Sequence, residues 1–116
     1  MRVVAISGPD GAQLCGRCAV ADRPWTRLRG LLGRSGLPQD EGMLFSHTGS
    51  IHTMFMRFPI DVVFLDADLR VLSVRGSVPA WRAVKERGAR TTLELAAGEA
   101  GRVGIEPGIV LTLGPD

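Results

Sequence analysis

One hundred and sixteen residues are enough for one domain around a single core, and too few for two. Apolar residues make up 45% and charged residues 22%, the balance of a globular chain and not of a disordered one. Fourteen basic residues against twelve acidic leave +2 at pH 7, too small a surplus for a nucleic-acid footprint. No window approaches the roughly 18 apolar residues of a membrane helix. Fifteen Gly and seven Pro recur along the chain and favour short elements joined by tight turns, the habit of all-β folds. With no Tyr, four Phe and two Trp, the core must be mostly aliphatic. Lys85 is the only lysine, so any anion site would be an arginine site.

In chain order, Val3-Val4-Ala5-Ile6 predicts a short strand, ended by the turn residues Ser7-Gly8-Pro9-Asp10-Gly11. These four apolar residues fall short of the about 7–15 of a signal peptide, which makes the cytoplasm the expected location. A second strand follows near Leu14–Ala21. Asp22 then suits a helix N-cap, with Pro24 in the first turn. Trp25, Leu28 and Leu32 form one apolar stripe before the stop at Gly33, so a short amphipathic helix is expected over about residues 23–32.

Gly42-Met43-Leu44-Phe45 reads as a buried strand, and Ser50-Ile51-His52-Thr53 as the start of another. Ile60 to Leu65 is nearly all apolar, as a strand covered on both faces would be. From Arg70, Leu72, Val74 and Val78 alternate with Ser73, Arg75 and Ser77, so 60–65 and 70–78 predict an antiparallel hairpin. Pro79 and Gly88 crowd the window 79–90, which is expected to be loop with at most one helical turn. Thr91–Ala97 alternates like a half-buried strand, and Gly98–Val103 fits a single helical turn closed by Gly104. Pro107-Gly108 signals a turn before a last strand, Ile109–Leu113. Eight or so short strands with one clear helix predict a single mainly β domain, a jelly-roll-like sandwich or a squat barrel.

Several segments resemble a known family when taken together. They are Arg27-Leu28-Arg29-Gly30-Leu31-Leu32-Gly33-Arg34, Gly42-Met43-Leu44-Phe45, the run from His52 to Asp66, and Leu93-Glu94-Leu95-Ala96-Ala97-Gly98. In that order and spacing the chain resembles the bacterial and archaeal domain of unknown function 192 over roughly residues 14–113. The resemblance implies a mainly β fold of jelly-roll-like or barrel type and implies no activity. Many relatives carry a Trp where this chain has Phe55.

Cys15 and Cys18 form a C-x-x-C. A redox site of thioredoxin type would place it at a helix N-terminus, and the first helix signal comes only at Asp22. Structural zinc would need two more ligands, for which His47 and His52 are available. Three residues apart on one strand, the two cysteines would also point to opposite faces. Buried free thiols are the favoured expectation, ahead of a metal site and ahead of redox chemistry or a local disulfide.

The densest polar grouping in an apolar setting is His52, Arg57 and Asp61. A carboxylate between Ile60 and Val62 must be paired or hydrogen-bonded, or it destabilises the fold by roughly several kcal/mol. Either Arg57 and Asp61 form a structural ion pair or loop tie, or they line a pocket mouth with His52. Arg27 and Arg34 either bind carbonyls at the helix end or lend positive potential to an anionic ligand. Met43, Met54 and Met56 suit core filling better than soft-metal binding.

No nucleophile motif, paired-carboxylate spacing, H-E-x-x-H or phosphate loop is present. The basic run Arg82, Lys85, Arg87 and Arg90 is broken by Glu86 and has only Trp81 to stack a base. The expected function is therefore a non-catalytic module binding a small polar or anionic ligand through His52, Arg57 and Asp61, with Arg27 contributing field. No cofactor, metal, nucleic acid or membrane partner is expected. The alternatives are a small hydrolase- or isomerase-type enzyme using His52 and Asp61, and a protein-interaction module around Trp81.

Overall fold

A computed structural model describes residues 2–21, 36–53 and 57–115, with His52 described in its backbone alone. The helix expected over 23–32, with Arg27 and Arg34, lies outside the described residues, as do Met54 and Met56. Nine strands are described: β1 (Arg2–Ser7), β2 (Gln13–Ala21), β3 (Glu41–Ser46), β4 (Ser50–His52), β5 (Ile60–Leu65), β6 (Val71–Val78), β7 (Ala83–Lys85), β8 (Thr91–Ala96) and β9 (Thr112–Pro115). One short helix, α1 (Glu99–Arg102), falls where a single helical turn was expected.

β5 is buried along its whole length, as its unbroken apolar run requires. It turns into β6 through Asp66, whose Oδ1 accepts hydrogen bonds from the backbone N–H of Asp68 at 2.9 Å and of Arg70 at 3.0 Å. The antiparallel β5–β6 hairpin is the one the sequence predicts. Seven strands form one sheet in the order β6-β5-β8-β3-β2-β1-β9, and β4 pairs with β7 in a separate two-stranded sheet. All pairings in the large sheet are antiparallel except β2 with β3. The connection 22–40 is longer than the roughly dozen residues a parallel crossover needs.

The large sheet carries an apolar cluster on each face. One gathers Val4, Ile6, Cys15, Cys18, Leu44, Val63, Leu93 and Leu95 with Val71, Ala100, Ile105 and Leu111. It takes residues from both edges of the sheet, so this face is concave, and we call it the inner face. The other cluster gathers Met43, Phe45, Ile60, Val62, Phe64 and Val78, with Ile51 of β4 and Val84 of β7 packed against it. The small sheet thus covers the outer face. Residues just before β9 reach the start of β6 through Val71 N–H to the Ile109 carbonyl (2.8 Å) and Leu111 N–H to the Leu69 carbonyl (2.9 Å). Only the single Arg70–Val110 bridge joins them there, so the sheet curls without closing. The architecture is sandwich-like, and the squat barrel is set aside.

Four local expectations need correcting. Residues 83–85 form a strand, not loop, because β4 offers them an antiparallel edge. The last strand begins at Thr112, since residues 109–111 are drawn toward β6. Strand β8 is buried on both faces from Thr92 to Leu95, not half-buried, because it runs between β5 and β3 in the middle of the sheet. The even alternation expected over 70–78 is broken by bulges: Val62 pairs with Arg75 but Ile60 with Val78, leaving Gly76 and Ser77 as a bulge. Val74 therefore packs toward the inner face and Val78 toward the outer one.

Candidate functional site

Asp61 is 2% exposed and has found partners in the backbone. Its Oδ1 accepts from Ser77 N–H at 2.8 Å, inside the β6 bulge, and its Oδ2 from Ala100 N–H at 2.9 Å, in the first turn of α1. Ser77 holds φ 49, a conformation that turns its N–H toward the carboxylate and that few non-glycine residues adopt. The carboxylate thus fastens a bulge and a helix start, and charge at a helix N-terminus is favourable. Arg57 is exposed, and among the described residues it makes no ion pair with Asp61. The two do not form the expected structural pair.

Of the four proposed ligand residues only Arg57 and Asp61 have described side chains, and these two are not paired. Asp61 turns to the inner face with Ala100, whereas β4, which carries His52, lies on the outer side. Phe58, the residue after the exposed Arg57, packs against the outer cluster. Arg27 and the His52 side chain lie outside the described residues.

A different carboxylate stands out. The buried polar and charged side chains are Thr53, Asp61, Thr92, Glu94 and Glu99. Thr53 Oγ1 donates to the Pro79 carbonyl at 2.6 Å, and Thr92 Oγ1 to the Thr48 carbonyl at 2.7 Å. Glu99 holds Arg102 by two bonds of 2.7 Å, and Asp61 has its two backbone donors. Glu94 has no hydrogen bond or ion pair among the described residues, and burial alone pushes its carboxyl up to about 8. It sits on the outer face, directly between Met43 of β3 and Val62 of β5. A carboxyl kept uncharged in an apolar setting is a frequent mark of a functional site. Alternation had placed Glu94 on the solvent side of β8. What conceals it is the central position of the strand, which the local sequence does not display.

The cysteines require a second correction. Val4 pairs with Cys18 but Ile6 pairs with Cys15, so β2 carries a bulge at Gly16 and Arg17. The extra residue cancels the odd spacing, and both thiols reach the inner cluster. Asp40 holds the bulge: its Oδ1 accepts from Gly16 N–H at 2.8 Å and its carbonyl from Arg17 N–H at 2.9 Å. A Cβ at Gly16 would collide with the Asp40 carboxylate, which explains the glycine. Both cysteines are free and buried, as the sequence favours. His47 is exposed, and no group of three or more metal-ligating side chains occurs among the described residues. Met43 fills the outer core as expected.

A family model described as "Uncharacterized ACR", DUF192, matches residues 5–113. The chain is similar to a protein of unknown function from Novosphingobium aromaticivorans DSM 12444, with 25% identity and a TM-score of 0.81. That likeness covers 95% of this chain and 83% of the other. It is also similar in fold to a protein of Sinorhizobium meliloti 1021 provisionally titled a transcription regulator. There the identity is 24% and the TM-score 0.83, over 96% of this chain and 92% of that one. A third structure, provisionally titled an exported protein, comes from Burkholderia pseudomallei K96243. It shares 10% identity at a TM-score of 0.54, and the likeness covers 96% of this chain and 24% of that one. No curated protein matches. Among the described residues, no helix is long and apolar enough to cross a membrane.

Proposed function

Since the chain belongs to the DUF192 family, whose description names no reaction, we propose from the geometry that it is a non-catalytic module for a small polar or anionic ligand, with Glu94 at the centre of recognition. One observation supports this reading: among the described residues Glu94 is a carboxyl buried in an apolar setting with no hydrogen bond or ion pair, whereas Thr53, Asp61, Thr92 and Glu99 each have one. Around neutral pH it is mostly protonated, so it presents an O–H donor and a carbonyl acceptor against apolar walls. That pair suits a ligand oxygen, and the exposed Arg57, which precedes Phe58 of the outer cluster in the chain, is the cation that would supply charge to an anionic one. His52 remains a flanking candidate by the position of β4, and Arg27 by sequence alone. Asp61 leaves the set, because both of its oxygens are engaged on the other face. The same engagement leaves a hydrolase or isomerase built on His52 and Asp61 without support.

The test is a thermal-shift panel of small anions, sugars and nucleotides on wild type, Glu94→Leu and Arg57→Ala. A ligand at a hundred times its dissociation constant adds about 2.7 kcal/mol, or several degrees for a domain of this size. The expected result is a shift in wild type that Glu94→Leu loses and Arg57→Ala weakens. A shift that Glu94→Leu keeps, or none with any compound, overturns the reading.

A second reading rests on Trp81, which is 58% exposed at φ 65. Backbone held in that region concentrates at functional positions. Thr53 fixes the turn, its carbonyl accepting from Trp81 N–H at 3.0 Å and its Oγ1 from Arg82 N–H at 2.8 Å. An indole presented this way suits a protein contact, and a partner captured by wild type should be lost by Trp81→Ala. A DNA-binding reading gains little from the regulator title of one neighbour. The net charge is +2, and Glu86 is paired with Arg75 at 3.2 Å inside the basic run.

A further inference from the structure

Independently of the ligand reading, we propose that Cys15 and Cys18 are a thiol-modification site that closes reversibly into an intramolecular disulfide. The β2 bulge turns two thiols of odd spacing onto the same face. There both side chains are fully buried in one apolar cluster, with the Cys15 sulfur 3.8 Å from the Asp40 carbonyl. Gly42 makes the room: a Cβ at that position would stand 3.2 Å from the Cys15 sulfur and 3.0 Å from the Glu94 carbonyl.

The pair is also unequal. Interaction with Cys18 draws the Cys15 thiol below its ordinary value, whereas Cys18, by interaction with Cys15 and by burial, is held far above its own. An attacking thiol and a resolving thiol need that asymmetry. Both are fully buried, so reaction requires the bulge to open. Its fastening is one exposed residue, Asp40, whose side chain grips Gly16 N–H and whose carbonyl lies 3.8 Å from the Cys15 sulfur.

The oxidant is a low-molecular-weight disulfide. The Cys15 thiolate attacks one of its sulfurs, breaks the S–S bond and expels the first thiolate, leaving a mixed disulfide on Cys15. Cys18 gives its proton to that thiolate, attacks the Cys15 sulfur and expels the second. Two protons and two electrons leave the cysteine pair, and one small disulfide becomes two thiols.

The experiment treats the folded protein with oxidised glutathione, quenches in acid, alkylates in denaturant and weighs the products. Far-UV circular dichroism during treatment establishes that the fold is kept. Wild type is expected to lose two hydrogens and both alkylatable thiols without gaining glutathione, and to recover them with dithiothreitol. Cys18→Ala should stop at one glutathione on Cys15, Cys15→Ala should take up none, and Asp40→Ala should oxidise faster than wild type. Wild type and Asp40→Ala that both keep two free thiols while folded overturn the proposal. So does a glutathione adduct on Cys18 in Cys15→Ala that forms as readily as the one on Cys15.

Discussion

Glu94 and Asp61 are both acidic side chains on central strands, and the fold treats them in opposite ways. Burial raises the Glu94 carboxyl from an ordinary 4.5 to about 8. Between those values the folded chain holds a proton that the unfolded chain has released, so stability falls as pH rises from about 4.5 to about 8. The loss is on the order of 3–5 kcal/mol. Urea unfolding across that range should show the decline in wild type and a nearly flat profile in Glu94→Gln. A decline of equal size in both would assign it to other groups. Asp61 needs two acceptor oxygens, one for each backbone N–H. Asn offers one oxygen and turns an NH₂ toward the other donor. Asp61→Asn should therefore cost about 2 kcal/mol in denaturant unfolding despite its matching shape, with Arg57→Ala close to neutral. Sequence reasoning identified Asp61 as a buried carboxylate that must be satisfied, and its donors proved to be backbone groups on β6 and α1. No local pattern could announce those partners, since they stand 16 and 39 residues away.

At the level of elements, most strands were legible because hydrophobic runs and turn residues mark them. Ile60–Leu65 has the ends its apolar run predicts, and the hairpin to β6 follows from Asp66-Ala67-Asp68. What escaped was the interruption of period two. Both arguments that counted odd and even positions, for Cys15 with Cys18 and for Val74 with Val78, met a bulge. A glycine stands in each, Gly16 and Gly76, but Gly is frequent throughout this chain and gave no distinct signal. β7 was missed for another reason: three residues carry too little pattern, and its pairing partner lies more than 30 positions upstream. Two three-residue strands make a sheet that is marginal on its own. Hydrogen exchange should accordingly find the amides of β4 and β7 far less protected than those of β5 and β8. Equal protection would show that the small sheet opens only with the whole molecule, and any ligand of Glu94 would need another route in.

For the whole molecule, the two clusters share β2, β3, β5 and β6 yet lie on opposite faces of one sheet. Ile6 packs in the inner cluster and Ile60 in the outer, both fully buried. Ile6→Val and Ile60→Val should each cost about 0.5–1.5 kcal/mol. The sheet separates them, so their effects should add within about 0.5 kcal/mol, in a single unfolding transition. Two transitions, or strong coupling between the pair, would mean that the faces do not melt as this architecture implies. Sheet order was beyond the sequence: β8 lies between β5 and β3, and β1 pairs with β9 at the far end of the chain.

The two bulges have a consequence for misfolding. Each carries a surplus residue, and each is met by an aspartate from another part of the chain: Gly16 by Asp40, Ser77 by Asp61. Were β2 or β6 to slip along its neighbour, the surplus residue would travel with it and leave one carboxylate facing no donor. For Asp61, which is shut away from water, that mismatch is expensive. Slipped pairings are thus penalised, a protection that a flat, regular strand lacks. Stacking into fibrils demands flat strands laid in register with their copies, so the same irregularities work against aggregation.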